Sequence, residues 1–513
     1  MIDFVERHRA VVALLALGLA ARFLLAFVLF PMQGYTGDLS QFWQWAQALG
    51  SHGPGTFYAS TSSANYPPAY MYVLWALGLL GNPALLKVPP MLADIAIGAM
   101  VYALATRWRG RRAGLVAAAL FLFLPVSWYD SALWGQVDAV GTAVSLAALL
   151  LLLGGWSEAA LATAALAVLV KPQYAIALVV IVPILVRRHL LRIGSGPQPA
   201  LGPRMERLDR ALGGLLRDQG PRRLVSSAAL AAVVALLVIL PFDLGVYAPA
   251  SLADVPVLAQ VAGLAGLFGR LGNEFSVLTA NAYNPWALVG DPSLAAVVGG
   301  GGSGSWTADT LVVWGGVPAV VLGGALLAAI GLAVAAGLLL RDSLATILLG
   351  FTILALAFFV VPTRVHERYL FPFFATAAVL AAPWVASAAG LAGVALLNTA
   401  NLHAVLTGAL RASSGGDGFG GPGGGGGFGG GAGFGGGRGP GGGFAGGFGG
   451  GAFSSLSLPL GDLAASQAVV AASAAGLALT LALLLVAWTV VVFGAWRPAI
   501  PARASLARGA EGR

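Results

Sequence analysis

The sequence predicts an all-α, polytopic membrane protein, and three observations carry that prediction. Hydrophobic residues make up 58% of the 513-residue chain and charged residues only 9%, with a mean hydropathy of +0.85. A soluble chain carries about 25% charged residues, so most of this one must face lipid. The apolar residues fall into runs that approach the roughly 20 residues a helix needs to cross a bilayer. The basic residues cluster between those runs, so the net charge of +8 reads as membrane orientation rather than a nucleic-acid surface. There are no cysteines, which excludes disulfides and thiolate metal sites.

Twelve spans are expected, at 10–31, 88–107, 113–127, 138–154, 158–171, 172–187, 225–246, 311–340, 344–362, 370–386, 388–408 and 466–494. The opening "MIDFVERHRAVVALL" lacks a small-residue cleavage site and reads as a retained first span. "RWRGRR" (107–112), "RRHLLR" (187–192), the loop from Arg204 to Arg223, Arg341 and the tail after Arg497 mark the cytoplasmic side. These marks agree only if the apolar stretch 69–81 does not cross. It follows Pro67-Pro68 and ends at Gly81-Asn82-Pro83, so it is expected as a helix in the outer interface. Both termini are then cytoplasmic, and 32–87, 128–137, 247–310, 363–369 and 409–465 lie outside with the Lys171-Pro172 turn. The chain divides into a transmembrane unit over 1–408 with its outer loop 32–87, an insert over 409–465 expected as disordered, Gly/Phe-rich and outside, and a last span with a cytoplasmic tail over 466–513. The tract 415–451 is nearly all glycine with spaced phenylalanines, which cannot bury enough surface to fold. It is not a nucleotide loop, since neither strand nor lysine accompanies it.

Polar residues out of place in so apolar a chain are the candidates for function. Asp38 follows the first span beside Phe42, Trp43 and Trp45; it either caps the helix over 39–49 or does chemistry. Of 28 basic residues only Lys87 and Lys171 are lysine, and both sit at outer span ends. They are either snorkelling anchors or point charges for a phosphate. "SWYDSALWGQVDAVGTAV" (127–144) places Asp130 and Asp138 around Trp134, Gly135 and Gln136, with Asp138 an alternative helix cap. "VPTRVHERYLFPFF" (361–374) packs Arg364, His366, Glu367 and Arg368 into one outer turn, as a site or as an ion-pair network. "NAYNPWAL" (281–288) supplies Asn284 and Trp286, types suited to sugar hydroxyls and sugar faces. Arg22 and Asp94 lie inside spans and are candidates to pair. His8, His52, His189 and His403 are scattered, so no metal-ligand spacing appears.

The ordered set of Asp38, "YPP" (66–68), "LWGQVDA" (133–139), "KPQ" (171–173), "NPW" (284–286) and "VHERYLFP" (365–372) resembles the GT-C superfamily of membrane glycosyltransferases. The likeness, over residues 1 to about 375, is to prokaryotic mannosyltransferases related to the second mannosyltransferase of GPI-anchor synthesis. It extends to the dolichyl-phosphate-glucose-dependent glucosyltransferases. The resemblance implies inverting transfer of a hexose, mannose by preference, from a polyprenyl-phosphate sugar to a lipid-linked or cell-surface glycan or protein acceptor. The reaction would occur on the outer face of the plasma membrane, with Asp38 as general base. It implies that Arg368, Arg364, His366, Lys171 and Lys87 serve the donor phosphate. Trp43, Trp134, Gln136, Asp138, Glu367, Asn284 and Trp286 would contact sugar or acceptor. The implied partners are the lipid-linked donor, the acceptor and membrane lipids, with no nucleic acid and no cofactor or metal. The rival class is a lipid-linked glycan flippase, polymerase or transporter, which should show internal repeats that this sequence lacks.

Overall fold

The computed structural model describes residues 2–194, 196–252, 254–289, 307–409 and 452–494. The glycine tract and the tail after Arg497 lie outside the described residues. What is described is helical apart from two small sheets. In chain order the main helices are α1 (Ile2–Phe23), α2 (Thr36–His52), α3 (Pro68–Leu80), α4 (Val88–Arg109), α5 (Arg111–Phe123), α6 (Asp138–Leu153), α7 (Ser157–Val170) and α8 (Ile176–Leu185). They continue as α9 (Pro221–Ile239), α10 (Pro256–Asn273), α11 (Ala319–Leu340), α12 (Leu344–Val360), α13 (Phe371–Ala381), α14 (Val385–Leu406) and α15 (Gln467–Phe493).

Among the described residues seven helices are long and apolar enough to cross a membrane, making this a multi-pass membrane protein. An eighth crossing is available if α5 and the segment Pro125–Trp134, bent by 50° at Pro125, form one span. The count of twelve is therefore not established by length. The other expected spans, α6, α7, α12 and α13, are short, and α12 and α13 are buried in protein along nearly their whole length. The expected span 311–340 begins only at Ala319. Before it, β2 (Val312–Trp314) and β3 (Val317–Pro318) form a hairpin through Gly315 and Gly316, both at positive φ.

Buried ion pairs tie the bundle together. Arg22 of α1 reaches Asp94 of α4 at 2.7 Å and donates to Ser127, so the two charges inside spans do pair. At the other end of the bundle from Asp38, two more arginines have carboxylate partners. Arg188 forks onto Asp342 at 2.6 and 2.9 Å, and Arg223 meets Glu158 at 3.1 Å.

The segment between α1 and α4 is a packed unit. Leu39, Phe42, Trp45, Ala46 and Leu49 line one face of α2 and are buried. That face meets α3, the helix expected over 69–81. The two approach so closely that a Cβ on Gly78 would lie 1.8 Å from the Ala46 carbonyl oxygen, and one on Gly50 2.8 Å from the Gly78 backbone. Helix α10 lies within 247–310, where no span is expected, and buries Ala259, Gly263 and Leu267 along one stripe.

Gly78→Val should cost stability at the top of the roughly 1–3 kcal/mol range for overpacking, because the clash is with backbone. Gly55→Ala, in open space, should be neutral. Thermal midpoints of the detergent-solubilised variants check this, and equal midpoints would refute the close α2–α3 contact.

Candidate active site

Four chain segments meet at one end of the bundle. Asp38 sits in the first turn of α2, with Tyr35 at the N-cap, so it does not cap the helix. Its Oδ2 accepts from Trp134 Nε1 at 2.8 Å and from Gln136 Nε2. Trp134 closes a π-helical turn, Tyr129–Trp134, whose C-cap is Gly135 at φ 85°, and Gln136 is the residue after that glycine. A Cβ on Gly135 would sit 2.6 Å from Leu39 Cδ2, so glycine lets the turn lie against α2. The Asp38 side chain is 19% exposed, and among the described residues nothing bonds its Oδ1.

Arg368 is the centre of charge. It donates to Glu367 at 2.7 Å, and lies 3.8 Å from Asp38 Oδ2 and 3.9 Å from Asp138 Oδ2. Its Nε, Asp138 Oδ2 and Glu367 Oε2 are buried without a hydrogen-bond partner. Burial opposes the Arg368 charge, but Asp38 and Glu367 outweigh that and hold its pKa well above the usual value. Burial pushes the Glu367 carboxyl up, against the pull of Arg368.

Asp138 is not a helix cap: Val137 holds that position. Its Oδ1 accepts from Lys171 at 2.8 Å and Gln173 at 3.0 Å, so "KPQ" is read by this one carboxylate. Lys171 also lies 4.3 Å from the Tyr369 ring. Asp130 is fully buried, with neither carboxylate oxygen hydrogen-bonded. Among the described residues no group of three His, Cys, Asp or Glu side chains is placed to hold a metal ion.

Several expected phosphate ligands are occupied otherwise. Lys87 is buried, and its Nζ donates to the carbonyls of Gln33 at 2.5 Å, Ala132 at 2.9 Å and Leu133 at 3.2 Å. In this structure it clamps the segment before Asp38 to the turn carrying Trp134. Arg364, at φ 67°, turns away and binds Asp309 at 2.6 Å. His366 is pushed well below its usual pKa by burial and by Arg368 and Lys171, which makes it a neutral imidazole rather than a cation. Its ring packs edge-on against Phe275.

The sugar-binding expectations also divide. Trp134, Gln136, Asp138 and Glu367 converge on the site. Asn284 donates to the Phe359 carbonyl at 3.0 Å and Trp286 to the Val361 carbonyl at 2.7 Å, so both brace the turn after α12. Trp43 is half-buried and packs with the apolar cluster that contains Leu39, Phe42 and Trp45. Tyr66 of the "YPP" stretch also reaches the site, its hydroxyl 3.5 Å from Gln136 Oε1.

No protein-family model matches the chain, and no curated protein matches it. Among solved structures it is similar to the oligosaccharyltransferase of Archaeoglobus fulgidus in the apo form, at 16% identity and a TM-score of 0.39. That match covers 78% of this chain and 52% of the other. A complex of the Archaeoglobus fulgidus oligosaccharyltransferase AglB with an inhibitory peptide and a dolichol-phosphate matches at 15% identity and 0.38, over 80% and 52%. The chain thus spans about half the length of the structures it matches. Likeness at this level carries no functional argument, and function has to be read from the site.

Lys87→Met should destabilise the protein by roughly 3 kcal/mol, since it leaves buried carbonyls without a donor at about 1–3 kcal/mol each. The thermal midpoint measures this. An unchanged midpoint would mean that the clamp contributes nothing.

Proposed function

We propose that this protein is a GT-C-type membrane glycosyltransferase that moves a hexose from a polyprenyl-phosphate donor to an acceptor hydroxyl. The observation that supports this best is the state of Asp38. Trp134 and Gln136 pin Oδ2, which fixes the carboxylate while Oδ1 stays open to accept a proton. A hydroxyl is a weak nucleophile, and a positioned base contributes typically 10²–10⁴-fold.

In the proposed step the acceptor oxygen attacks the anomeric carbon as its proton passes to Asp38 Oδ1. The bond from that carbon to the phosphate oxygen breaks on the opposite face, which inverts the centre. The departing lipid phosphate takes the bonding pair as negative charge. Arg368, only 3.8 Å from Asp38 and with Nε unpaired, is the cation available to balance it. Lys171 acts one step back: by holding Asp138 it leaves Arg368 less fully neutralised. Trp134 and Tyr66 offer aromatic surface to a sugar. Mannose is the preferred hexose on the motif resemblance, the acceptor a lipid-linked or surface glycan or protein. Twelve crossings, with α12 and α13 shielded by protein, would put both termini in the cytoplasm and this site outside the plasma membrane.

Asp38→Asn keeps size and removes the base, so turnover by the purified protein should fall at least about 100-fold with insertion unchanged. Near-normal turnover would rule out the base. Arg368→Ala should raise the donor KM more than the acceptor KM, and Lys171→Ala should do so more weakly. Unchanged donor saturation in both would remove the phosphate assignment.

A further inference from the structure

We propose that the strand following the glycine-rich tract is a positioning element of the site, holding in place the short segment that aims Asp38. The inference rests on the proposed role of that aspartate. The segment is β1 (Gln33–Gly34), which ends four residues before Asp38. It pairs in parallel with β4 (Ser454–Ser455), in the register Gln33 to Ser454 and Gly34 to Ser455. The Ser454 amide donates to the Met32 carbonyl at 2.9 Å.

The neighbours of β1 leave it little freedom elsewhere. The Gln33 carbonyl takes the Lys87 ammonium, which also holds Ala132 and Leu133. Gly34 lies so close to the same turn that a Cβ would meet the Leu133 carbonyl oxygen at 2.8 Å and Leu39 Cδ1 at 2.5 Å. Strand β1 is therefore wedged between β4 and the turn that presents Trp134 and Gln136. Both sides of the Asp38 hydrogen-bond set depend on its position.

A two-stranded pair this short is not stable by its hydrogen bonds alone, so β4 needs its own anchor. Phe453 supplies one: it is buried in the apolar cluster that contains Leu39, Phe42 and Trp45 of α2. Leu456 is buried in the main core. The serines between them are exposed and offer only backbone to β1. Further along, the Pro459 carbonyl meets His403 Nε2 at 2.7 Å, and the Ala464 carbonyl accepts from Tyr283 at 3.0 Å. His403 in turn bonds the hydroxyl of Tyr129, at the start of the π-turn. The strand is thus fixed to α2, α14 and the π-turn together.

A misplacement of about 1 Å in a reacting group costs on the order of 100-fold in rate. The test uses full-length protein with a polyprenyl-phosphate mannose donor, comparing Ser454→Pro, Ser454→Ala, Phe453→Ala, Phe453→Leu and Asp38→Asn. Proline removes the amide that β1 needs, whereas alanine keeps it. Ser454→Pro and Phe453→Ala should lose about 10- to 100-fold in kcat with donor KM within about twofold, and Ser454→Ala and Phe453→Leu should recover the rate. Hydrogen–deuterium exchange gives a readout independent of turnover. Amides over 33–39 should exchange faster in the two damaging variants, with no change over 176–185. Unchanged exchange at 33–39 overturns the proposal whatever the activity. Full kcat in Ser454→Pro and Phe453→Ala beside an inactive Asp38→Asn overturns it while leaving the base assignment intact. An active Asp38→Asn sinks the base assignment, and the catalytic meaning of the strand falls with it.

Discussion

Three carboxylates from three separate segments share one guanidinium. Asp38 comes from the first turn of α2, Asp138 from the start of α6, and Glu367 from the turn that also carries Arg368. Charges withdrawn from water are costly unless each is compensated, so these segments can come together only around Arg368. Lys171 completes the balance by holding the far oxygen of Asp138. Glu367 relieves it further, since burial favours its neutral form. The arrangement of this end of the bundle is in this sense an electrostatic solution, and the apolar packing of α2 on α3 is fitted to it.

Rigidity around that centre comes from backbone contacts. Lys87 spends its ammonium on three carbonyls, and Gly34, Gly78 and Gly135 bring segments closer than any side chain would permit. On the other side, Asn398 and Asn401 of α14 bind the Glu367 and Asn281 carbonyls at 3.0 and 2.7 Å, which steadies the turn holding Arg368. Asp38 is therefore a partly exposed group on a stiff mount.

Much of this was legible in the sequence because it is encoded locally. Apolar runs mark the long helices, and a carboxylate in a lipid-facing chain stands out, which is how Asp38, Asp138 and Arg368 were found together. What was not legible depends on where distant backbone lies. Lys87 and Lys171 look alike in the sequence, yet one faces carbonyls of residues 33, 132 and 133 and the other faces Asp138. Arg364 and Arg368 sit in one turn, and a left-handed backbone at Arg364 sends it to Asp309 instead. Asn284 and Trp286 have the chemistry of sugar ligands, but they face the carbonyls of Phe359 and Val361. The short strand after the glycine tract carries no periodic signal, and only its partner at residue 33 gives it meaning.

The pair between Arg22 and Asp94 bears on how the chain is made. The two residues are 72 positions apart, so the arginine leaves the ribosome well before its partner exists. An arginine at the centre of a membrane helix costs about 2.5–3.5 kcal/mol on insertion scales. Until α4 arrives, α1 must bear that cost through its leucines and alanines, or wait beside the insertion machinery. The first span is thus provisionally placed during synthesis, and the fourth helix makes its position final.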